Sequence, residues 1–251
     1  MPVSGLALAA STGLRVASLN LCTDELLLAL ARPDEIVSVS YLSRLPEESS
    51  LWREARRFPP NRGTLESAVA YRPNLVLTIG GGGRASAAIA ERLNMRVIDL
   101  RFPATIADLE AQTVAVARAL GDVRRADPLR RRLQSLRMTR PAVLPDAAFV
   151  GAGGVSLTAD SLGAEWLSLA GFRQRVLPGG RLTLEQLATT PPARLIVSNY
   201  RAGQTSRNQA WLQHPLVRRL ANRTIATDGR PWTCGGWPLL TEVARLRSVV
   251  R

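Results

Sequence analysis

One phrase occurs twice in this chain, and it constrains the fold more than any other feature. Residues 63–79 read GTLESAVAYRPNLVLTI and residues 182–198 read LTLEQLATTPPARLIVS. Both contain Thr-Leu-Glu, and in both a proline follows the threonine by nine positions, Thr64 to Pro73 and Thr183 to Pro192. A short apolar run comes after each proline, at 75–79 and 195–197. The threonine can cap a helix, the glutamate is favoured in the first turn by the helix dipole, and the proline ends the helix before a strand. The duplication predicts two lobes of similar design. Each presents one acid, Glu66 or Glu185, at a comparable place, and such a pair suits a two-fold partner.

Strand-like and helix-like runs alternate from end to end, which predicts an α/β fold. Strands are expected at 15–19, 36–39, 75–79 and 97–100, with helices at 24–31 (capped by Thr23) and 85–93. Residues 43–62 read as a long polar loop rich in proline and arginine. Between 105 and 137 the strand signal vanishes. Ile106, Leu109, Thr113, Val116 and Leu120 recur at helical spacing, Gly121-Asp122 interrupts them, and Asp127-Pro128 restarts the helix. Flexible linkers are rich in glycine and serine, so this segment predicts a stiff helical connector. Beyond Pro145 come a strand at 147–150, a helix opened by Ser161, the second copy of the phrase, a polar loop after 199–201, a strand at 224–227 and a closing helix at 238–247. The expected divisions are a disordered stub or signal-peptide remnant at 1–13, an N-terminal α/β lobe at 14–103, a helical connector at 104–141 and a C-terminal α/β lobe at 142–251.

Composition narrows the function. The 251 residues are 46% hydrophobic, enough to bury one large core or two smaller ones. No stretch approaches the roughly 18 apolar residues of a membrane span. The net charge of +13 suggests nucleic acid, yet all 33 basic residues are arginine, which reads as a compositional bias of the source genome. The arginines are scattered apart from a dense patch at 124–137, and a groove for single strands needs stacking rings where aromatics are only 5%. Nucleic acid is therefore not an expected partner, while weak attraction to an anionic membrane surface fits the charge. The run VSGLALAAST near Met1 resembles the tail end of a secretory signal.

In open α/β sheets the ligand lies beyond the carboxyl ends of the strands. The candidate cleft loops are thus 20–23, 41–44, 61–62, 80–84, 153–160, 199–201 and 232–237. Three blocks among these elements carry a resemblance: RVASLNLCTDELLLALARPDEIVSVSYLSRLP at the start, LTADSLGAEWLSLAGF in the second half, and the two Thr-Leu-Glu units. Together they resemble the periplasmic binding proteins for iron–siderophore complexes and vitamin B12, from about Leu14 to Val250. The resemblance implies two Rossmann-like lobes joined by a helical backbone connector, a ligand cleft between the lobes and a small opening motion. It also implies a monomer in the periplasm that delivers a metal chelate to an inner-membrane ABC permease dimer with its ATPase. Glu66 and Glu185 stand where that family meets permease arginines. No cofactor beyond the cargo is implied.

The resemblance also directs attention to particular side chains. Where cobalamin-binding relatives hold aromatic rings, this chain offers Leu42, Pro60, Ile79 and Leu157. Tyr41, Tyr200, Trp232 and Trp237 remain near the expected mouth, with Arg44, Arg62, Arg84 and Arg201 in the loops and Asp160 beside them. Arginine pairs bidentately with carboxylates, so a carboxylate-bearing ferric siderophore is expected first, with cobalamin or haem next. Cys22 and Cys234, one per lobe, form a disulfide, contact a bound metal or haem as thiols, or are two unrelated small buried residues. The single histidine, His214, sits in a His-Pro turn. No Ser–His–Asp set or phosphate loop can be assembled, so the expected role is binding, not catalysis. An enzyme on a related two-lobed fold, such as a tetrapyrrole metal chelatase, is the alternative. That chemistry asks for a cleft histidine and acid.

Overall fold

The computed structural model describes residues 13–81, 87–204 and 206–250. Two parallel sheets follow one another along the chain. The first contains β1 (Val16–Ser18), β2 (Ile36–Ser40), β3 (Pro60–Asn61), β4 (Leu75–Ile79) and β5 (Arg96–Leu100), in the order β3-β2-β1-β4-β5. Its helices are α1 (Leu21–Leu30), α2 (Trp52–Ala55), α3 (Leu65–Val69) and α4 (Ala87–Arg92). Next come the connector helices α5 (Ile106–Ala119) and α6 (Asp127–Met138). The second sheet contains β6 (Asp146–Val150), β7 (Arg173–Gln174), β8 (Arg194–Ser198) and β9 (Thr224–Thr227), in the order β7-β6-β8-β9. Its helices are α7 (Leu162–Leu169), α8 (Leu184–Thr189), α9 (Arg207–Leu212), α10 (Pro215–Arg218) and the closing α11 (Leu239–Val250). Leaving out the short edge strand β3, the two orders are the same. The repeated phrase supplies the equivalent helix and strand of each lobe, α3–β4 and α8–β8.

The local chemistry of the two copies differs slightly. Thr64 accepts from the Ser67 amide at 3.3 Å. Thr183 accepts from the Gln186 amide at 3.1 Å, and the Gln186 side chain returns the bond to Thr183 N–H at 2.9 Å. This closes a capping box in the second lobe. The first helix starts a turn earlier than the Thr23 cap predicts. Asn20 is the cap, accepting from Thr23 N–H at 3.2 Å, and the Thr23 hydroxyl turns inward to Ser18 at 2.7 Å. The two polar loops of the sequence reading contain structure that their composition hides: α2 and β3 in the first, α9 and α10 in the second. The two-residue β7 was also unanticipated.

Strands of parallel sheets are covered on both faces, and alternate residues enter different cores. Val16, Leu75 and Leu77 point inward, while Ala17 and Val76 pack outward under α3 and α4. In the second sheet Phe149 and Ile196 point inward, and Ala148, Val150 and Leu195 face outward. The inward faces of both sheets share one continuous cluster with α1, α5, α7 and α11. The connector is clamped to both sides. Arg125 holds buried Glu35 of the first lobe through two bonds, 2.5 and 2.9 Å, and Arg247 of α11 reaches Thr139 just past α6 at 2.6 Å.

Candidate ligand-binding cleft

The carboxyl ends of both sheets converge. Phe102 and Pro103, just past β5, face residues 157–163 at the approach to α7 and its first turn, and residues 232–235 beyond β9 lie beside both. Together they line an open cavity of about 500 Å³, a volume typical of small-molecule sites. Phe102 is 69% exposed and its ring lies over Gly80, where a Cβ would meet it at 2.7 Å. The φ of +79° favours glycine at that position. Trp232 is half-buried. Its ring centroid lies 4.7 Å from Phe149 and its indole N–H donates to Thr227 Oγ1 at 2.9 Å, so one aromatic face is held at the cavity wall.

A second junction lies between the end of β2 and the ends of β8 and β9. The Tyr200 phenol donates to Glu48 Oε2 at 2.6 Å, and Arg201 is ion-paired with the other carboxylate oxygen. Burial, and then the bond to Glu48, holds the Tyr200 phenol above its ordinary pKa. Arg230 donates to the Pro46 carbonyl at 2.7 Å while Asp228 grips the same guanidinium at 2.9 and 2.7 Å. The first-lobe segment 46–49 is therefore held by three side chains of the second lobe.

Between these junctions the lobes are tied covalently. Cys22, at the start of α1, and Cys234, in the loop before α11, form a disulfide with Cα atoms 5.3 Å apart. Beside it Glu25 is buried, and its Oε2 has no hydrogen-bond partner among the described residues. Burial, and then neighbouring Asp24, pushes its carboxyl well above the usual range. Gly236 fits against this carboxyl only because it has no side chain; a Cβ would come within 2.2 Å of Oε2.

Solved structures of the same architecture cover the chain almost completely. The periplasmic heme-binding protein HutB of Vibrio cholerae superposes with a TM-score of 0.74 at 18% identity, over 94% of this chain and 98% of that one. The periplasmic heme-binding protein RhuT of Roseiflexus sp. RS-1 gives 0.68 at 18% identity, over 95% and 100%. The periplasmic vitamin B12-binding protein BtuF of Vibrio cholerae gives 0.61 at 18%, over 93% and 95%. The chain has the fold of the periplasmic binding proteins. No protein-family model matches the sequence, and no curated protein is similar to it at a significant level.

On this periplasmic-binding-protein fold, the residues expected at the cleft separate into groups. Asp160, Trp232 and Cys234 line the inter-lobe cavity, and Tyr200 and Arg201 sit at the Glu48 junction. Tyr41, Leu42 and Arg44 form a helical turn at the end of β2. Tyr41 is 48% exposed and makes no hydrogen bond among the described residues, whereas Arg44 keeps its Nε buried and unpartnered. Arg62 is exposed beside the N-terminus of α3, with its backbone N–H donating to Ser67. Arg84 lies outside the described residues.

Two expectations are corrected. Trp237 is not an open cleft residue: it is buried, with its indole donating to Thr113 Oγ1 of α5 at 2.7 Å, because a buried indole needs a partner for its N–H. Cys22 and Cys234 do not face a ligand as thiols, because they are bonded to each other. His214 lies in the His-Pro turn read from the sequence, its Nδ1 accepting from Leu216 N–H at 3.2 Å to cap α10.

The sequence reading missed Phe102, Glu48 and Arg230. Phe102 was accessible, since it lies two residues past a predicted strand and the carboxyl-end rule applies to it. A larger hollow of about 640 Å³ lies between β8, β9, α9 and α10. It is lined by the second lobe alone and is separate from the cleft between the lobes.

Proposed function

We propose that this protein is a periplasmic solute-binding protein that captures a metal chelate between its lobes and delivers it to an inner-membrane ABC permease with its ATPase. The supporting observation is the inter-lobe cavity, lined from both lobes at the carboxyl edges of two parallel sheets in this fold. Haem ranks first as cargo, ahead of the ferric siderophore expected from sequence and of cobalamin. Two of the similar structures are heme-binding proteins, and Phe102 and Trp232 offer faces for a flat macrocycle. Tyr41 offers an unpartnered phenol for the iron. Asp160, Arg44 and Arg62 contribute polar contacts at the rim. The protein acts as a monomer and does no chemistry on its cargo.

Glu66 and Glu185 are the docking acids of this reading. Both are exposed in the first turns of equivalent helices. An exposed ion pair contributes only about 0–1 kcal/mol, but two like-placed charges set orientation and encounter rate. The division into lobes at 14–103 and 142–251 with a connector at 104–141 belongs to the same proposal.

Titration of the purified protein with haem, cobalamin, cobinamide and a panel of ferric siderophores tests the reading, followed by tryptophan fluorescence and visible absorbance. Saturable binding of one chelate class is expected, and no binding across the panel overturns it.

A further inference from the structure

Glu48 is a first-lobe residue whose carboxylate is used entirely by the second lobe. Its side chain is only 10% exposed, and its partners lie 152 and 153 positions away. Tyr200 donates to one oxygen and Arg201 to the other. Arg201 holds its position at a φ of +52°, a left-handed conformation that a non-glycine residue adopts at a cost. Arg201 also lies with its guanidinium 5.2 Å from the Tyr200 ring centroid. A phenol and a guanidinium aimed at the two oxygens of one carboxylate form a receptor for that group. Here the occupant is a side chain on a polar loop of the opposite lobe, Pro46-Glu47-Glu48-Ser49-Ser50.

We infer that Tyr200 and Arg201 form a carboxylate subsite of the cleft, and that Glu48 occupies it until a carboxylate of the cargo takes its place. This rests on the reading of the molecule as a chelate-binding protein. A tethered carboxylate competes at an effective concentration on the order of millimolar or above. Neutral cargo cannot replace what Glu48 gives Tyr200 and Arg201, because displacing it would leave a half-buried phenol and a cation without their carboxylate. Cargo with its own carboxylate restores both bonds, and the Glu48 carboxylate returns to water on its loop. Glu48 is thereby a specificity residue that selects carboxylate-bearing chelates, and its release frees one of the contacts joining the lobes.

The test uses the full chain with haem and iron protoporphyrin IX dimethyl ester in the same co-solvent, read by Soret absorbance and tryptophan quenching. The wild type should bind haem at least about tenfold more tightly than the diester, the discrimination expected of one charge-assisted pair. Glu48→Gln should tighten haem binding several-fold and widen that preference, and Arg201→Gln should erase it. Circular dichroism melts confirm that both variants fold. Equal affinity for the free acid and the diester, weakening of both ligands alike by Glu48→Gln, or failure of haem to bind would each overturn the carboxylate subsite. Binding of cobalamin or a ferric siderophore in those cases leaves the chelate-binding reading standing, whereas silence across the whole panel removes that reading too.

Discussion

The indole of Trp237 donates to the hydroxyl of Thr113 at 2.7 Å across 124 residues of sequence, joining the loop before α11 to the middle of α5. The Thr113 hydroxyl in turn donates to the Leu109 carbonyl at 2.6 Å, so both polar atoms are satisfied inside the shared core. Trp237→Phe keeps most of the buried ring and removes the donor. The expected loss is about 1–3 kcal/mol of stability, measured by urea denaturation, with chelate affinity close to that of the wild type. A variant as stable as the parent would show that the bond contributes nothing.

Removing the Cys22–Cys234 bridge should cost roughly 2–5 kcal/mol, the range for a native disulfide closing a long loop. Chemical denaturation of Cys22→Ser/Cys234→Ser against the oxidised parent measures it. Alkylation before and after reduction should find no reactive thiol in oxidised material and two in reduced material. Such a bond forms and persists in an oxidising compartment, in keeping with the proposed periplasmic location.

Stability should fall as pH rises from about 4 to about 7. Asp24 is fully buried, and burial pushes its carboxyl from 3.8 up to about 7 against the opposing hydrogen bonds of Ser40. In that window the folded state keeps a proton that the unfolded chain has released, so each step up in pH favours unfolding. The full effect is on the order of 4 kcal/mol. Glu25 adds in the same direction. Glu35 works oppositely: its bonds to Arg125 lower its pKa, so its contribution is lost only as pH drops below the ordinary carboxylate range. Asp24→Asn should flatten the neutral limb of a melting-temperature profile. An unchanged slope would show that Asp24 is ionised in the folded protein.

Reversing the two lobe acids, Glu66→Arg with Glu185→Arg, should abolish chelate uptake by cells while leaving the affinity of the purified protein unaltered. Each single reversal should give an intermediate loss, since the two contacts act on one encounter. Weakened chelate binding in the double variant would move these residues from docking to the cleft.

The architecture was legible in the sequence because it is written in local signals. Threonine caps, prolines after helices and apolar runs of strand length each depend on neighbours within about ten residues, and they located most strands within one or two positions. The connector was legible from the helical spacing of Ile106, Leu109, Thr113, Val116 and Leu120. What stayed hidden depends on partners far away in the chain. Glu48 looks like one acid in a polar loop until the second lobe brings Tyr200 and Arg201 to it. Trp232 and Trp237 look alike in sequence, and only the approach of α5 separates the buried indole from the one at the cavity wall. The buried pair Asp24 and Glu25 reads as ordinary first-turn acid, since nothing local announces that Ser40 and Gly236 will cover it. Helices α9 and α10 escaped because segments of six and four residues are too short for periodicity to register.

The bridge between Cys22 and Cys234 spans 212 positions, nearly the whole length of the polypeptide. A protease that nicks any exposed turn inside that span produces two fragments still fastened near their outer ends. The cut molecule remains a single covalent body, because the bridge lies outside every such cut.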